Sequence, residues 1–552
     1  MTTPLLRRAS LLALAAATAL LTLPGITTAP ADAATAEVRA GAAKTSIEPR
    51  PDDYGGTWET EGCAIVGDDI SAVGDHVADF RSSWPENPNC LYMGGFGIGP
   101  ANPIVDWDQE FGLWVRSFAL GNGDQTIVLT IIDGAYYLGD YASFCDTCGA
   151  FEIAETMGEE LGLDPASFVL AASHSHASPD FIGAWGGVPD WYFQQVEDAI
   201  RSTIREAVAS MEPATIEFGE ELARDHNRDR RGTYRSGETQ TLTWLRALGA
   251  DGDTIATLAG YAAHPTTVGT NDGIAHPDWV GLFEQRLEDR FGGVALHFMT
   301  GLGNHSTAGG TEMGLALADM VPPVGTASTF DRADVVVRQR FFDQPVTNAG
   351  LLGLGVPQFF DRPIQTLPAA VAEGKADEAP CVSTSPLSIR TAASALAVGP
   401  LTFTAGPGEL FSNLTNTIKE KGSPQVVFPL AIANDGLGYI MQEFEMDPVA
   451  NQLVGFAGLP FFEYEEAYML DRCVGDMVLE TTLDLLDELA AELEPAEVGG
   501  PRPAEPTAPA PEPTPDKDAG PNTKSPLPVT GGGLLAISVA AMGTAVVARR
   551  RR

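Results

Sequence analysis

Between residues 126 and 493 the chain alternates short apolar runs with amphipathic segments. The apolar runs have the length of buried strands and fall at 126–132, 167–172, 254–263, 294–299, 401–405 and 425–433. The amphipathic segments repeat their apolar residues three and four apart, as helices packed on a sheet do, and fall at 151–162, 190–211, 278–291, 409–421 and 476–493. Strands alternating with helices predict an α/β protein with a mixed sheet and flanking helices.

Five of the six predicted strands run into loops that carry His, Glu, Asn or Tyr among Gly and Pro. These loops are SHSHASPD (173–180), HPTT (264–267), TGLGNHSTAGG (300–310), GPGEL (406–410) and NDGLGY (434–439). Open α/β sheets bind ligands at the carboxyl ends of their strands, so we expect the loops to converge on one site.

The pair His174 and His176 is a candidate for metal binding. In extended backbone, residues two apart point to the same face, so both imidazoles could reach one ion. Imidazole is the commonest protein ligand for zinc, but loop histidines bonded to backbone carbonyls are the alternative. Glu409, which opens a predicted helix after a strand, is the best further ligand; its alternative role is an acid that complements the helix dipole.

Composition narrows the class of protein. The 552 residues are 44% hydrophobic and carry a formal net charge of −41. A packed core is therefore expected, and nucleic acid is excluded as a partner because its phosphates require Lys and Arg.

The six Cys suggest up to three disulfides in an exported chain. We expect Cys145 and Cys148 to form a disulfide rather than a redox motif or half of a zinc site.

Both ends of the chain have the pattern of targeting segments. Residues 1–33 have the basic start, apolar run and small-residue cleavage site of a secretory signal. Residues 527–552 combine LPVTG, an apolar stretch and four Arg, which resembles the wall-sorting signal of Gram-positive surface proteins. That resemblance implies sortase cleavage between Thr530 and Gly531 and attachment to cell-wall peptidoglycan; an ordinary transmembrane helix is the alternative. Residues 495–526 form a Pro-rich linker, which leaves 36–494 as one catalytic-type domain.

Several motifs of this domain, taken in order, resemble the neutral, non-lysosomal ceramidase family. They are AGAAKTSIEP (40–49), SHSHASP (173–179), Asn227-Arg228 ahead of AAHPTT (262–267), GPGE (406–409) and NDGLGY (434–439). In that family a zinc ion held by two His, one Glu and one Tyr activates water to hydrolyse the amide of an N-acylated sphingoid base. The resemblance implies zinc ligands at His176, Glu409 and Tyr439, with His174 and His264 as catalytic neighbours in the pocket.

The chain departs from the family at two site positions. Glu110 stands where the family has its first zinc His, with Asp108 nearby, so a carboxylate would complete the ligand set. His276 stands where the family has its active-site Ser, which leaves it as a general base, a further ligand or a loop residue without a role. The family's C-terminal Ig-like domain is also expected to be absent, which makes ceramide a less secure substrate than an N-acyl amide in general.

The sequence thus predicts an exported, wall-anchored, zinc-dependent hydrolase of a lipid or other N-acyl amide. A non-catalytic adhesin on a degenerate hydrolase fold is the first alternative, because two site positions are replaced. A metal-dependent esterase or phosphatase that uses the same pocket is the second. The absence of GxSxG argues against a serine hydrolase of the α/β-hydrolase type.

Overall fold

The apolar runs of the chain form strands, and the amphipathic segments between them form helices. The computed structural model describes residues 36–63, 89–96, 100, 102–141, 147–231, 237–348, 365–366, 387–423, 425–446, 464–493 and 498–500. The described strands are β1 (Ala36–Glu37), β2 (Arg39–Ser46), β3 (Leu91–Tyr92), β4 (Pro103–Ile104), β5 (Asp106–Trp107), β6 (Trp114–Gly121), β7 (Thr126–Ile132), β8 (Phe168–Ala172), β9 (Glu212–Leu222), β10 (Asn227–Asp229), β11 (Thr241–Gly249), β12 (Thr254–Tyr261), β13 (Ile274–Ala275), β14 (Val294–Met299), β15 (His305–Thr307), β16 (Ser328–Phe330), β17 (Arg332–Ala333), β18 (Val335–Pro345), β19 (Gln365–Thr366), β20 (Leu387–Val398), β21 (Leu401–Ala405), β22 (Glu409–Leu410), β23 (Val426–Leu430) and β24 (Tyr439–Ile440).

The described helices lie between these strands and after them. They are α1 (Ala150–Leu161), α2 (Asp190–Ala209), α3 (Asp278–Phe291), α4 (Met313–Met320), α5 (Ser412–Gly422), α6 (Tyr464–Ala467) and α7 (Val474–Ala490). Helix α2 shows why these segments are helical. Its apolar side chains at Val196, Ile200 and Ile204 repeat every four residues and are buried, so one face of the helix packs against the sheet.

Two mixed sheets form the centre of the molecule. The larger has nine strands in the order β14-β12-β11-β9-β2-β6-β7-β8, with β16 on β9; the smaller has five, in the order β18-β20-β21-β23, with β19 on β20. One hydrophobic core draws its members from the strands of both sheets, so these two sheets pack face to face. Helices α2 and α3 pack on the larger sheet and α5 and α7 on the smaller. The prediction of an α/β fold with mixed sheets and flanking helices is confirmed.

Three strand–helix–strand units position the site. The pairs β7–β8, β12–β14 and β21–β23 are parallel, and each pair is connected through a helix, α1, α3 and α5 respectively. Within each parallel pair, the carboxyl ends of the two strands lie at the same edge. The loops that leave these six strands therefore start at three shared edges.

The observed bounds agree closely with the hydrophobic pattern, with one informative exception. The predicted strands 126–132, 294–299 and 401–405 coincide with β7, β14 and β21. The predicted helix 409–421 is wrong at its start, because α5 begins at Ser412 and Glu409 lies in the short strand β22. The Glu409 N–H donates to the carbonyl of Gly438, so strand pairing, not a helix dipole, fixes this residue.

The cysteines follow the prediction in part. Cys63 and Cys90 form a disulfide, and Cys473 is also disulfide-bonded. Cys145 and Cys381 lie outside the described residues, so the Cys145–Cys148 pairing stays a prediction.

The signal, most of the linker and the sorting segment, including Thr530 and Gly531, also lie outside the described residues. In the part of the chain that the structure describes, no helix is both long and apolar enough to cross a bilayer.

Candidate metal centre

The strand-end loops bring three ionisable side chains together. His174 follows β8, His264 follows β12, and Glu409 follows β21 at the start of β22. One ligand atom from each of the three lies within 4.8 Å of the others, and all three side chains are buried. Two imidazoles and a carboxylate at this spacing form a group that could hold a metal ion.

His174 is fixed by its backbone as well as by its ring. Its φ of 61° lies in the left-handed region, which is uncommon for a residue with a side chain and concentrates at functional sites. The Nδ1 atom lies 2.6 Å from the carbonyl oxygen of Ala135. A carbonyl only accepts, so Nδ1 carries the proton and Nε2 presents a lone pair.

His264 is fixed in the same way. Its Nδ1 atom donates to the carbonyl oxygen of His305 at 2.8 Å, which leaves a lone pair on Nε2. That Nε2 lies 2.8 Å from Oε2 of Glu409, and Nε2 of His174 lies 3.7 Å from the same oxygen. Three acceptor atoms therefore converge without a proton between them, an arrangement that a cation stabilises.

Backbone carbonyls lie behind the imidazoles of His174 and His264, as is common where histidines bind metals. Metal-ligating His residues almost always donate their other ring N–H to a carbonyl or carboxylate, which sets the tautomer and aims the ligand atom. Burial, the largest cause, lowers the pKa of His174 to about 4, and it also lowers the pKa of His176 well below its ordinary value. The rings of His174 and His176 are thus neutral near pH 7, the form of imidazole that binds metals.

Glu409 is held from two sides. Its Oε2 faces the imidazoles, while Oε1 accepts a hydrogen bond from the hydroxyl of Tyr136. Burial alone would raise the pKa of Glu409, but the nearby His174 and His264 and the hydrogen bond from Tyr136 outweigh it and lower the pKa below its ordinary value. The carboxylate is therefore ionised, as a metal ligand must be.

His176 lies beside the three-residue group. Its Nε2 atom is 3.4 Å from Nε2 of His174, and its ring meets the rings of Phe96 and His264 edge to face. The Nδ1 atom of His176 is buried without a hydrogen-bond partner in the described part of the chain. His176 thus adds a third imidazole to the site.

Tyr439 reaches the site from β24. Strands β22 and β24 are parallel, and their register pairs Glu409 with Tyr439. The Tyr439 ring centroid lies 6.3 Å from that of His264, and its hydroxyl oxygen accepts a hydrogen bond from Arg230 at 2.8 Å. The family resemblance placed Glu409 and Tyr439 in one ligand set, and the short strand pair puts them side by side.

Two predicted site residues lie apart from this group. The Nδ1 atom of His276 accepts the N–H of Asp278 at 2.8 Å, and its Nε2 lies 3.9 Å from Oδ2 of Asp108. Glu110 is exposed at the tip of a turn in which Asp108 accepts the N–H groups of Phe111 and Gly112. The described residues give Glu110 no place in the converging group, and a ligand role for it stays a prediction without geometric support.

Two residues in contact with the site were not predicted. Tyr136 contacts Glu409 and follows β7 in the stretch Asp133-Gly134-Ala135-Tyr136, so the strand-end pattern contained a sixth loop that could have identified it. Arg230 contacts Tyr439 across 209 residues of sequence. No local pattern indicates that contact. The sequence offered His174 as a metal ligand through the His174–His176 pair and as a catalytic neighbour through the family resemblance. The direction of its Nε2 atom favours the ligand role.

Comparison with known proteins adds a likeness of fold. No protein-family model and no curated protein matches the sequence. Among solved structures, the chain is similar to the neutral ceramidase from Pseudomonas aeruginosa, with a TM-score of 0.57 and 16% identity over 86% of this chain and 77% of that one. It is also similar to a ceramidase complexed with C2, with a TM-score of 0.57 and 15% identity over 85% of this chain and 77% of that one. At this level of identity the likeness concerns the fold, and the fold of this chain is ceramidase-like.

Proposed function

We propose that the chain is a metal-dependent hydrolase of an N-acyl amide. The observation that carries this proposal is the convergence of Nε2 of His174, Nε2 of His264 and Oε2 of Glu409, three acceptors aimed at one point in a ceramidase-like fold. Nitrogen and oxygen ligands in this number suit zinc, whose catalytic sites keep a position open. Tyr439 and His176 stand next to the group as further ligands or as neighbours of the substrate.

The residues present fit a catalytic role for such an ion. Bound zinc polarises a carbonyl oxygen and lowers the pKa of water to about 7, which is the chemistry that amide hydrolysis needs. The protein holds the His174 imidazole neutral and the Glu409 carboxylate ionised, both in a pocket of buried side chains. Electrostatic interactions strengthen in such a pocket.

Aromatic rings at the site support an apolar substrate. Phe96 meets the edge of His176 at 4.9 Å, and the half-buried Trp185 lies parallel to Tyr136 at 6.4 Å. Aromatic surface beside a polar centre favours a molecule with an acyl chain and a polar amide. We therefore propose a lipid amide, with ceramide as one candidate, as the substrate class.

We also propose that the protein acts outside the cell. The secretory signal and the sorting segment support export and attachment to peptidoglycan by a sortase. The Cys63–Cys90 disulfide fits an oxidising compartment. Cleavage between Thr530 and Gly531 would be detected by mass spectrometry of wall-linked peptides.

Metal content and hydrolysis, measured on the same preparation of the exported domain, test the proposal. We expect close to one zinc per chain and release of fatty acid from N-acyl substrates, with both lost in Glu409→Ala. Glu155→Ala, an exposed carboxylate on α1, is the matched control. Fewer than about 0.2 zinc per chain after gentle purification would contradict a zinc site of this kind.

Side-by-side substrates separate the remaining alternatives. Ester or phosphate turnover in place of amide turnover would indicate the esterase or phosphatase reading. A folded, zinc-loaded protein without hydrolysis of any of the three would indicate a binding protein on a hydrolase fold. Glu110→Ala should keep its zinc, because that carboxylate is exposed and lies outside the converging group.

A further inference from the structure

Tyr439 lies on β24, which pairs with β22 over two residues. Strands β22 and β24 are two residues long each, so the pairing that sets Glu409 beside Tyr439 rests on few ladder hydrogen bonds. The phenol oxygen lies at the far end of a long side chain. Its position in the site therefore depends on what its hydroxyl contacts.

Arg230 supplies that contact. Its Nη2 donates to the Tyr439 hydroxyl oxygen at 2.8 Å and to the carbonyl oxygen of Gly303 at 3.0 Å, and its Nε donates to Oε1 of Glu465 at 2.7 Å. The guanidinium also lies over the Tyr439 ring, 5.5 Å from its centroid. A rigid planar fork of donors makes these three hydrogen bonds at once, which a lysine ammonium on a flexible stem does not reproduce.

Both other acceptors of Arg230 are themselves fixed. The N–H of Gly303 donates to the carbonyl of Leu410 at 2.8 Å, so the Gly303 carbonyl is tied to the strand that contains Glu409. The Gly303 loop packs so closely on that strand that a Cβ at Gly303 would lie 2.6 Å from the Glu409 carbonyl oxygen. Glu465 is 4% exposed at its side chain and also lies 3.6 Å from Nη1 of Arg231. Through Arg230 and the Gly303 loop, the Tyr439 hydroxyl oxygen is therefore connected to the same strand that contains Glu409.

The charge balance keeps this arrangement in place. The guanidinium of Arg230 lies between the Tyr439 hydroxyl and the buried carboxylate of Glu465. Arg230 remains a cation whose hydrogen bonds to oxygen are of the stronger, charge-assisted kind.

We infer that Arg230 is a positioning residue that holds the Tyr439 hydroxyl oxygen at the metal centre, through the Gly303 carbonyl and Glu465. The inference rests on the proposed function, because it assigns Tyr439 to the metal site. It concerns residues that carry no chemistry themselves: Arg230 acts through Tyr439, and Glu465 acts through Arg230.

A double-mutant cycle tests this role. We expect Arg230→Met to lower zinc affinity about tenfold or more, as outer-shell changes do, and Tyr439→Phe to lower it comparably. The double variant should bind zinc no more weakly than the weaker single variant, because the two residues act as one unit. Arg228→Met, which changes an exposed arginine of β10 two residues before Arg230, is the matched control and should bind as the wild type does. Affinity is read by competition with a chromophoric chelator.

Two further readouts separate positioning from general support of the fold. In copper-loaded protein, the tyrosine-to-metal charge-transfer band should weaken in Arg230→Met and be partly restored in Arg230→Lys. In the metal-free crystal structure of Arg230→Met, the Tyr439 oxygen should shift by about 1 Å or more relative to Glu409, a displacement large enough to disable a site.

The outcomes are distinct from those of the proposed function. Additive losses in the cycle, or a Tyr439 oxygen that does not move in Arg230→Met, overturn the inference. An increase in KM alone, with zinc affinity and the copper band unchanged, also overturns it and indicates direct substrate contact. A wild-type protein that binds zinc but hydrolyses no amide refutes the proposed function alone. If the wild type binds no zinc, the metal-free structures still decide whether Arg230 sets the position of Tyr439.

Discussion

Replacing Tyr136 by phenylalanine tests how the protein holds Glu409, a proposed metal ligand. The substitution removes the hydroxyl that donates to Oε1 of Glu409 and keeps the aromatic ring, which stacks on Trp185 and meets His174 edge to face. Oε2 still faces His264, so the carboxylate loses one of its two fixed oxygens. We expect Tyr136→Phe to fold and to bind zinc more weakly.

The structure sets the size of the effect. Hydrogen bonds to charged groups contribute about 1.5–3 kcal/mol, and the Tyr136 bond is buried and reaches a carboxylate. At about 1.4 kcal/mol per tenfold change in an equilibrium constant, that range corresponds to roughly a tenfold to hundredfold loss of affinity. Measured losses for outer-shell partners of metal ligands, at roughly 10–100-fold, agree with it.

Zinc affinity, measured by competition with a chromophoric chelator, is the assay. Tyr137→Phe is the matched control, because it removes the same group from the next residue. The Tyr137 hydroxyl is buried and donates to the carbonyl of Cys148, so its loss lowers stability without reaching Glu409. A loss of less than about threefold in Tyr136→Phe, or equal losses in both variants, would refute the reasoning.

Three further changes have defined outcomes. Gly95→Ala should weaken zinc binding, because a Cβ there would lie 2.3 Å from Cγ of His176 at a φ of +104°. Burial lowers the pKa of His297 from 6.5 to about 3, so the wild type loses stability as the pH falls below 6.5. Between about pH 8 and pH 5, the free energy of unfolding should therefore fall by about 2 kcal/mol less in His297→Phe than in the wild type, as measured by urea unfolding. Arg246→Met leaves the Glu217 carboxylate buried without its ion-pair partner. The free energy of unfolding should fall by about 3–5 kcal/mol in the same assay.

Each of these has a result that contradicts it. Gly309→Ala has a φ of +107° and no atom within 4 Å of its Cβ, so an equal loss of zinc binding there would show that backbone strain alone explains Gly95→Ala. Parallel pH profiles of wild type and His297→Phe would mean that His297 takes up its proton while folded. An unchanged urea midpoint for Arg246→Met would mean that Glu217 is neutralised in another way.

The sequence predicted the elements of the fold better than their contacts. Strands β7, β14 and β21 coincide with their predicted bounds because each is a buried run of apolar side chains. The strand β2 and its partner β6 were not predicted, because they lie in a Gly- and Pro-rich region without helical periodicity to separate them. Glu409 was wrongly predicted to lie in a helix, because the hydrophobic pattern of the sequence does not distinguish a two-residue strand from the start of a helix.

The candidate site divides in the same way. The rule that polar loops follow strands identified His174, His264 and Glu409 as members of one pocket. It did not decide which atoms face the centre, because that depends on the carbonyls of Ala135 and His305 behind the rings. The sorting segment and the signal are outside the described residues and remain predictions.

By itself, the sequence determined the α/β alternation, the acidic charge of −41 and the strand ends that carry polar side chains. Only the tertiary structure decided that Glu409 pairs with Tyr439, that Tyr136 donates to Glu409, and that Arg230 reaches Tyr439 across 209 residues. The physical reason is that these contacts join residues far apart in the sequence. Hydrophobic periodicity reports which face of a local segment is buried, whereas the pairing of distant strand ends is set by how the sheets close on one another.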